Sequence, residues 1–185
     1  MTLKSHVVSL ALLTSLLATG ATHAAGKIYV GAKLAVAEAD IPGFDHAYLG
    51  GIYGGFNLLG KDSHFNQDLK GGTLAVEGEG LLTIRKGDAA SGGNWDMKSL
   101  GVYAAYRHPL TDYFYLKGKV GIARTDIDTA VPPPSSSINA RTGTDTSLVA
   151  GIGAGFKVGP GRLEAELATF EGDITLLSAG FHMAF

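Results

Sequence analysis

The chain has no cysteine among its 185 residues. Disulfides and thiolate metal sites are therefore excluded, and a cysteine nucleophile with them. Charge is also scarce: Asp, Glu, Lys and Arg make up 17% of the chain, and the net charge is −2. So neutral a chain gives no reason to expect nucleic acid as a partner. Tryptophan occurs once, at Trp95. Beyond the first 24 residues, no apolar run reaches the ~18 residues of a helical membrane span. Glycine is abundant, at 27 residues, and so is strict alternation of apolar with small or polar residues.

Lys4 and His6 precede an apolar run over 7–17, interrupted only by Ser9, Thr14 and Ser15. Small residues follow, from Gly20 to Ala25. A basic start, a short apolar core and a small-residue cleavage site describe a secretory signal peptide. The alternative, an N-terminal anchor, needs a longer run to cross ~30 Å of hydrocarbon as a helix. Thr22 and Ala24 place the cut after Ala24. Residues 1–24 are thus expected to be removed, leaving 25–185, or 185 − 24 = 161 residues, as one domain. An exported chain without disulfides must take its stability from packing, from a closed sheet or from lipid.

Eight strands are expected, at 27–37, 49–59, 73–85, 98–108, 113–125, 147–158, 162–170 and from 174 onward. Each shows a period of two, the signature of a strand with unlike faces. In the first, Ile28, Val30, Ala32, Leu34 and Val36 oppose Tyr29, Gly31, Lys33, Ala35 and Ala37. In the last, Leu177, Ala179, Phe181, Met183 and Phe185 oppose Leu176, Ser178, Gly180, His182 and Ala184. Turn residues at 109–112 and 159–161 separate neighbouring strands.

Alternation alone does not say which face points inward. A soluble barrel buries the apolar face; a membrane barrel turns it to lipid and keeps polar residues inside. Without a spanning helix, only a closed barrel satisfies every backbone hydrogen bond in hydrocarbon. Eight strands of about ten residues suit that solution. Three observations favour it: the export signal, the aromatics and the loops. Phe56, Tyr106, Phe114, Phe156 and Phe185 all fall on the apolar face near strand ends on one side, the periplasmic side if the first strand starts there. Such a ring is an interfacial girdle. Connections at 109–112 and 159–161 are short, as periplasmic turns are, and those at 38–48, 86–96 and 126–146 are longer. The connections 60–72 and 171–173 break the rule, one too long and the other too short. The expected fold is all-β: an eight-stranded antiparallel up-and-down transmembrane β-barrel.

The stretch Tyr29-Val30-Gly31-Ala32-Lys33-Leu34 is similar to the opening strand of the OmpA transmembrane domain. Gly151-Ile152-Gly153-Ala154-Gly155-Phe156, the Glu-rich stretch from Leu163 to Leu167 and the terminal Phe resemble later strands of the outer-membrane β-barrel superfamily of OmpA, OmpX, Ail and Opa-type proteins. The resemblance spans the mature chain but is diffuse, and it carries no catalytic signature. It implies location in the cell outer membrane, with lipid and lipopolysaccharide as surroundings. It also implies insertion by the barrel-assembly machinery through the C-terminal strand, with Phe185 as the signal. Single-barrel members are surface proteins linked to adhesion, host-factor binding or envelope integrity, so an extracellular ligand at the outer loops is expected. The peptidoglycan-binding domain of full-length OmpA has no counterpart here. Some small barrels modify lipid A, but the deacylase pattern of a His two residues before a Ser is missing, since Met183 and Ala184 follow His182.

The polar faces hold Lys33, Glu77, Glu79, Arg85, Arg107, Lys117, Lys119, Lys157, Arg162, Glu164 and Glu166. A lumen of eight strands is just wide enough to be filled by side chains, and charges enclosed there must pair. An interior ion-pair network is the main reading, and a narrow gated pore in which pairs exchange partners is the alternative. Glu77/Glu79 and Glu164/Glu166 sit two apart, which merely puts each pair on one face. The histidines at 46, 64, 108 and 182 show no ligand spacing. No catalytic, cofactor or metal site is expected. The clusters Gly50-Gly51 and Gly151 to Gly155 precede no helix, so they suit strand curvature and close packing rather than phosphate binding. The segment 126–146, with Pro132-Pro133-Pro134 and Ser135-Ser136-Ser137, reads as an exposed loop. Trp95 is read as part of an outer interfacial belt, with a partner anchor as the alternative.

Overall fold

The computed structural model describes residues 28–40, 42–59, 71–89, 92–130, 143–170 and 174–185. Among these described residues nine strands follow one another: β1 (Ile28–Ala39), β2 (Ala47–Leu59), β3 (Thr73–Arg85), β4 (Gly87–Ala89), β5 (Gly93–Pro109), β6 (Phe114–Ala130), β7 (Gly143–Val158), β8 (Gly161–Phe170) and β9 (Ile174–Ala184). β3 and β4 both pair with β5, so they make one interrupted stave. The wall therefore has eight staves, each antiparallel to the next in chain order. β1 closes on β9 from Tyr29 opposite Ala184 to Ala39 opposite Ile174, and the Phe185 N–H donates to the Ile28 carbonyl at 2.8 Å. Closure leaves no sheet edge, which is what hydrocarbon requires.

The apolar faces point outward. Leu34, Leu100 and Ile152 are 64%, 69% and 71% exposed, and the polar faces of the same strands are buried. That is the inverse of a soluble barrel and the arrangement of one bounded by lipid. Two of the turns on one side are tight. Gly159, at φ 57°, joins β7 to β8 with Pro160. Between β5 and β6, the Leu110 and Thr111 N–H groups donate to the Phe114 carbonyl, and the Thr111 hydroxyl accepts from the Phe114 N–H at 3.0 Å.

Several strands extend past their sequence patterns. β5 begins at Gly93 instead of 98, β6 runs on to Ala130, and β7 starts at Gly143. The expected loop 86–96 is mostly hairpin, with Gly87 opposite Trp95 and Ala89 opposite Gly93. Backbone pairing continues there although polar residues blur the alternation. Residues 1–24, the connection 60–70, the segment 131–142 and residues 171–173 lie outside the described residues.

A nitroxide at Val102, which is 55% exposed on the outer face, should be relaxed by dissolved oxygen and shielded from a water-soluble paramagnet in lipid vesicles. Strong relaxation by the aqueous agent would put the apolar face in water and refute the orientation.

Candidate functional site

The lumen is the most highly organised part of the molecule. Lys33 comes from β1, Glu77 and Glu79 from β3, Arg107 from β5, Lys117 and Lys119 from β6, and Glu164 and Glu166 from β8, and all eight are buried. Four cations meet four carboxylates, so this set is formally neutral. Lys117 is the hub: its Nζ lies 2.8 Å from Glu77, 3.0 Å from Glu164 and 3.0 Å from Glu166. Arg107 bridges Glu77 and Glu164, the latter at 2.8 Å. Lys33 pairs with Glu79 and, at 3.3 Å, with Glu166. Lys119 reaches Glu166 at 2.6 Å and Glu79 at 3.5 Å. Every carboxylate meets at least two cations, which is the condition for holding such charges away from water.

Glycine makes room for this layer. Lys33 lies opposite Gly51 and Gly180, Lys119 opposite Gly151, Lys117 and Glu166 opposite Gly153, and Glu77 opposite Gly55. A long side chain on one strand lies over a bare backbone on the next, the small-beside-large alternation of narrow barrels. A Cβ at Gly155 would run into the Tyr115 ring, and one at Gly55 into the Tyr29 hydroxyl.

Tyrosines and a histidine complete the network toward the strand ends that bear the tight turns. Tyr29 donates to Glu77 at 2.6 Å and Tyr115 to Glu164 at 2.8 Å. The Tyr53 hydroxyl and His182 Nδ1 are 2.8 Å apart. The Arg107 guanidinium lies over the Tyr29 ring and the Lys119 ammonium over the Tyr103 ring. These residues share the inward parity of the charges, and that parity was their only signal in the sequence.

Three expected members sit elsewhere. Arg85 is exposed, because a β-bulge between β2 and β3 sets Thr83 opposite Leu49 but Arg85 opposite Tyr48. The extra residue flips the parity, and the Arg85 guanidinium lies over the outward Tyr48 ring. Where the bulge breaks the ladder to β5, the Thr83 hydroxyl serves both the N–H and the carbonyl of Met97. Lys157 is exposed at the end of β7 and donates to the Asp112 carbonyl at 2.8 Å. Arg162, half-buried at the rim, lies over the Tyr115 ring.

The other half of the lumen is mostly apolar, with the hydroxyls of Ser99, Thr125 and Ser147 among its inward groups. Ala35, Ala37, Leu49, Leu81, Trp95, Met97, Val149, Phe170 and Leu176 belong to one buried cluster, with Phe44 and Ile127 against it. Trp95 is 1% exposed, so it is neither a belt residue nor a surface anchor. Its indole N–H donates to the Asp45 carbonyl at 2.8 Å, and Phe44 packs beside it at 6.2 Å between ring centroids. Phe44 bridges to Ala89 and the Asp45 N–H donates to Asp88, so this connection is tied to β4. The His46 N–H donates to the Asp45 carboxylate at 2.8 Å and holds that carboxyl below its usual range.

Outside, Phe56, Phe114, Phe156 and Phe185 are 36–50% exposed, and Tyr106 is half-buried. All five lie near the strand ends with the tight turns; Phe114 is directly opposite Phe156. The Tyr106 hydroxyl is 3.3 Å from His108 Nδ1. Among the described residues, no group of three or more His, Asp or Glu is placed to hold a metal ion.

A closed barrel with apolar walls outside and a compensated polar core inside is a transmembrane β-barrel. Residues 8–175 match the outer membrane protein beta-barrel domain, and the chain belongs to that family. It is an outer-membrane protein. No curated protein matches it. Among solved structures, it is similar to Ail, the attachment invasion locus protein of Yersinia pestis, in complex with the heparin analogue sucrose octasulfate. Identity is 14%, 86% of this chain and 97% of that one are covered, and the TM-score is 0.50. Neisserial surface protein A is 19% identical over 85% and 97% of the two chains, with TM-score 0.51. The outer membrane enzyme PagL is 12% identical over 84% and 99%, with TM-score 0.53. At these identities the likeness is one of fold.

Replacing the hub, Lys117→Met, leaves three carboxylates short of one cation. Urea unfolding from lipid vesicles should show a loss of about 3–5 kcal/mol, the cost of breaking a buried pair. Lys33→Met, which strips two carboxylates, should cost less. Equal stability of Lys117→Met and the parent would show that the network is not stabilising.

Proposed function

We propose that this protein is a non-conducting structural barrel that presents its outer connections at the cell surface, for envelope integrity, adhesion or host-factor binding. The observation that carries the reading is the filling of the lumen in two unlike layers. An ion entering from the tight-turn end meets a neutral, fully paired charge layer. Beyond that layer it meets packed Leu81, Met97, Val149, Phe170 and Trp95, where an unpaired charge is costly. A gated pore would have to exchange ion pairs and also part an apolar plug.

Catalysis is not part of the reading. His182, the histidine nearest a carboxylate in the lumen, is tied to Tyr53, and its neighbour Glu164 is engaged by Arg107 and Lys117. We further infer that residues 1–24 are a cleaved leader and that the barrel-assembly machinery reads the last strand with Phe185. The working surface is then the outer connections, with an extracellular ligand as partner.

In planar bilayers the folded protein should give no stepwise current; frequent steps at low voltage would replace this reading with the gated pore. Deleting 132–141 should leave the heat-modifiable gel shift of a folded barrel intact and lower attachment of expressing cells to host-cell surfaces. Unchanged attachment after deleting this and the 40–45 segment would remove the surface role.

A further inference from the structure

Seven of the eight joints between neighbouring staves are backed by a connection in the chain. The eighth, between β1 and β9, joins strands from opposite ends of the chain. Only non-covalent contacts hold it, and closing so long a loop costs more entropy than closing a hairpin. Inside, this seam is lined with glycine. Gly31 of β1 lies opposite His182 of β9, and Lys33 lies opposite Gly180. A Cβ at Gly31 would strike the Phe181 carbonyl and the His182 Cβ, so the bare backbone is what lets the imidazole lie across β1. A Cβ at Gly180 would press on the Tyr53 ring at 3.1 Å.

Tyr53 stands on β2, one stave beyond β1, and both it and His182 are buried. The Tyr53 hydroxyl is 2.8 Å from His182 Nδ1, and the two rings meet edge to face at 5.6 Å between centroids. β2 thus grips β9 over the inner face of β1. Tyr29 of β1 joins from beside, its ring 4.8 Å from the imidazole. The charge layer holds Tyr53 in place, with the Lys33 ammonium 5.0 Å and the Lys117 ammonium 5.6 Å from its ring. An ion pair also crosses the seam, from Lys33 to Glu166 of β8 at 3.3 Å. Glu166 keeps Lys117 and Lys119 without it, so that link is the more dispensable one.

We infer that Tyr53 and His182 form a closure latch, which holds the first and last staves together near the tight-turn end and sets how readily the barrel opens along its seam. The latch differs from the ion-pair layer in what it joins. The ion pairs link strands across the lumen, with at least two cations to each carboxylate. The latch spans a single joint, through one hydrogen bond and the ring contacts around it. Its loss loosens the seam and leaves the seven connected joints as they were. The last strand then has two faces with separate roles: Phe181, Met183 and Phe185 outward, and His182 with Gly180 inward. The inference rests on the closed fold and not on what the outer connections bind.

The chain has no cysteine, so one introduced thiol reports on one position. Ser178→Cys puts it inward on β9, opposite Ala35 across the seam, and Ser99→Cys puts it inward on β5, away from the seam; both serines are buried. Each protein is folded in lipid vesicles and treated with a charged, water-soluble maleimide. The labelling rate, scaled to that of the urea-unfolded chain, reads the fraction open at each site. In the parent background, position 178 should label faster than position 99. Tyr53→Phe and His182→Phe keep a ring and remove the hydrogen bond. Each should speed labelling at 178 about fivefold, the effect of one hydrogen bond of typical net strength, and leave labelling at 99 unchanged. Unchanged labelling at 178, or equal acceleration at both positions, would overturn the latch. So would labelling at 99 as fast as at 178 in the parent background, a comparison that needs neither latch variant to fold.

Discussion

Charge neutrality inside a closed cylinder is the constraint on which the rest of this structure depends. The wall is apolar on its outside, so no buried ion in the lumen can turn outward to water. Each must find its counter-ion across the barrel. Lys117 on β6 reaches carboxylates on β3 and β8, and Lys33 on β1 reaches the same two strands. These contacts fix the strands against one another in a way that backbone ladders alone do not. A slip of one residue in β1, β3, β5, β6 or β8 would send its lumenal charges into lipid and its outward apolar residues into the ion-pair layer. Pairs that cross the lumen in this way penalise a slip in register as well as joining the strands.

Glycine follows from the same constraint. Long ionised side chains need space inside a narrow barrel, and the strands beside them supply it with Gly51, Gly151, Gly153 and Gly180. In the outer half the charges end and the inward residues are small or apolar: Ala35, Ala37 and Ala47 beside Leu49, Leu81 and Met97. The change divides the lumen into a charged layer and a mostly apolar one. Phe44 and Trp95 close the second layer, anchored by the single hydrogen bond an indole can give.

The strands and the outward apolar face were legible because lipid on one side and charge on the other enforce strict alternation. β3 shows it at full strength: Leu74, Val76, Leu82 and Ile84 against Glu77 and Glu79 give its limits, Thr73–Arg85, without error. Legibility failed where the enforcement lapses. Past Lys98 toward Gly93 the outward residues enter the polar boundary, so β5 continues by backbone pairing while its pattern fades. Parity puts Arg85 inward, and a bulge reverses parity without any residue-type signal on its strand. Composition puts Trp95 at an interface, since a lone tryptophan in an apparent loop suggests one. Its inward position depends on the β4–β5 hairpin, a pairing made between short glycine-bounded segments. The lumenal tyrosines were on the correct face but carried no formal charge, and so did not stand out as network members.

Small barrels similar in fold to this one include an attachment protein and an enzyme, so architecture does not set function. What distinguishes one such barrel from another is what interrupts its repeating pattern. Among the described residues two interruptions stand out beside the β2–β3 bulge. One is the contact of Phe44 with Trp95 at the outer end of the lumen. The other is the outer wall of β5 and β6, where Arg124, without an ion pair among the described residues, stands exposed above a groove floored by Gly80.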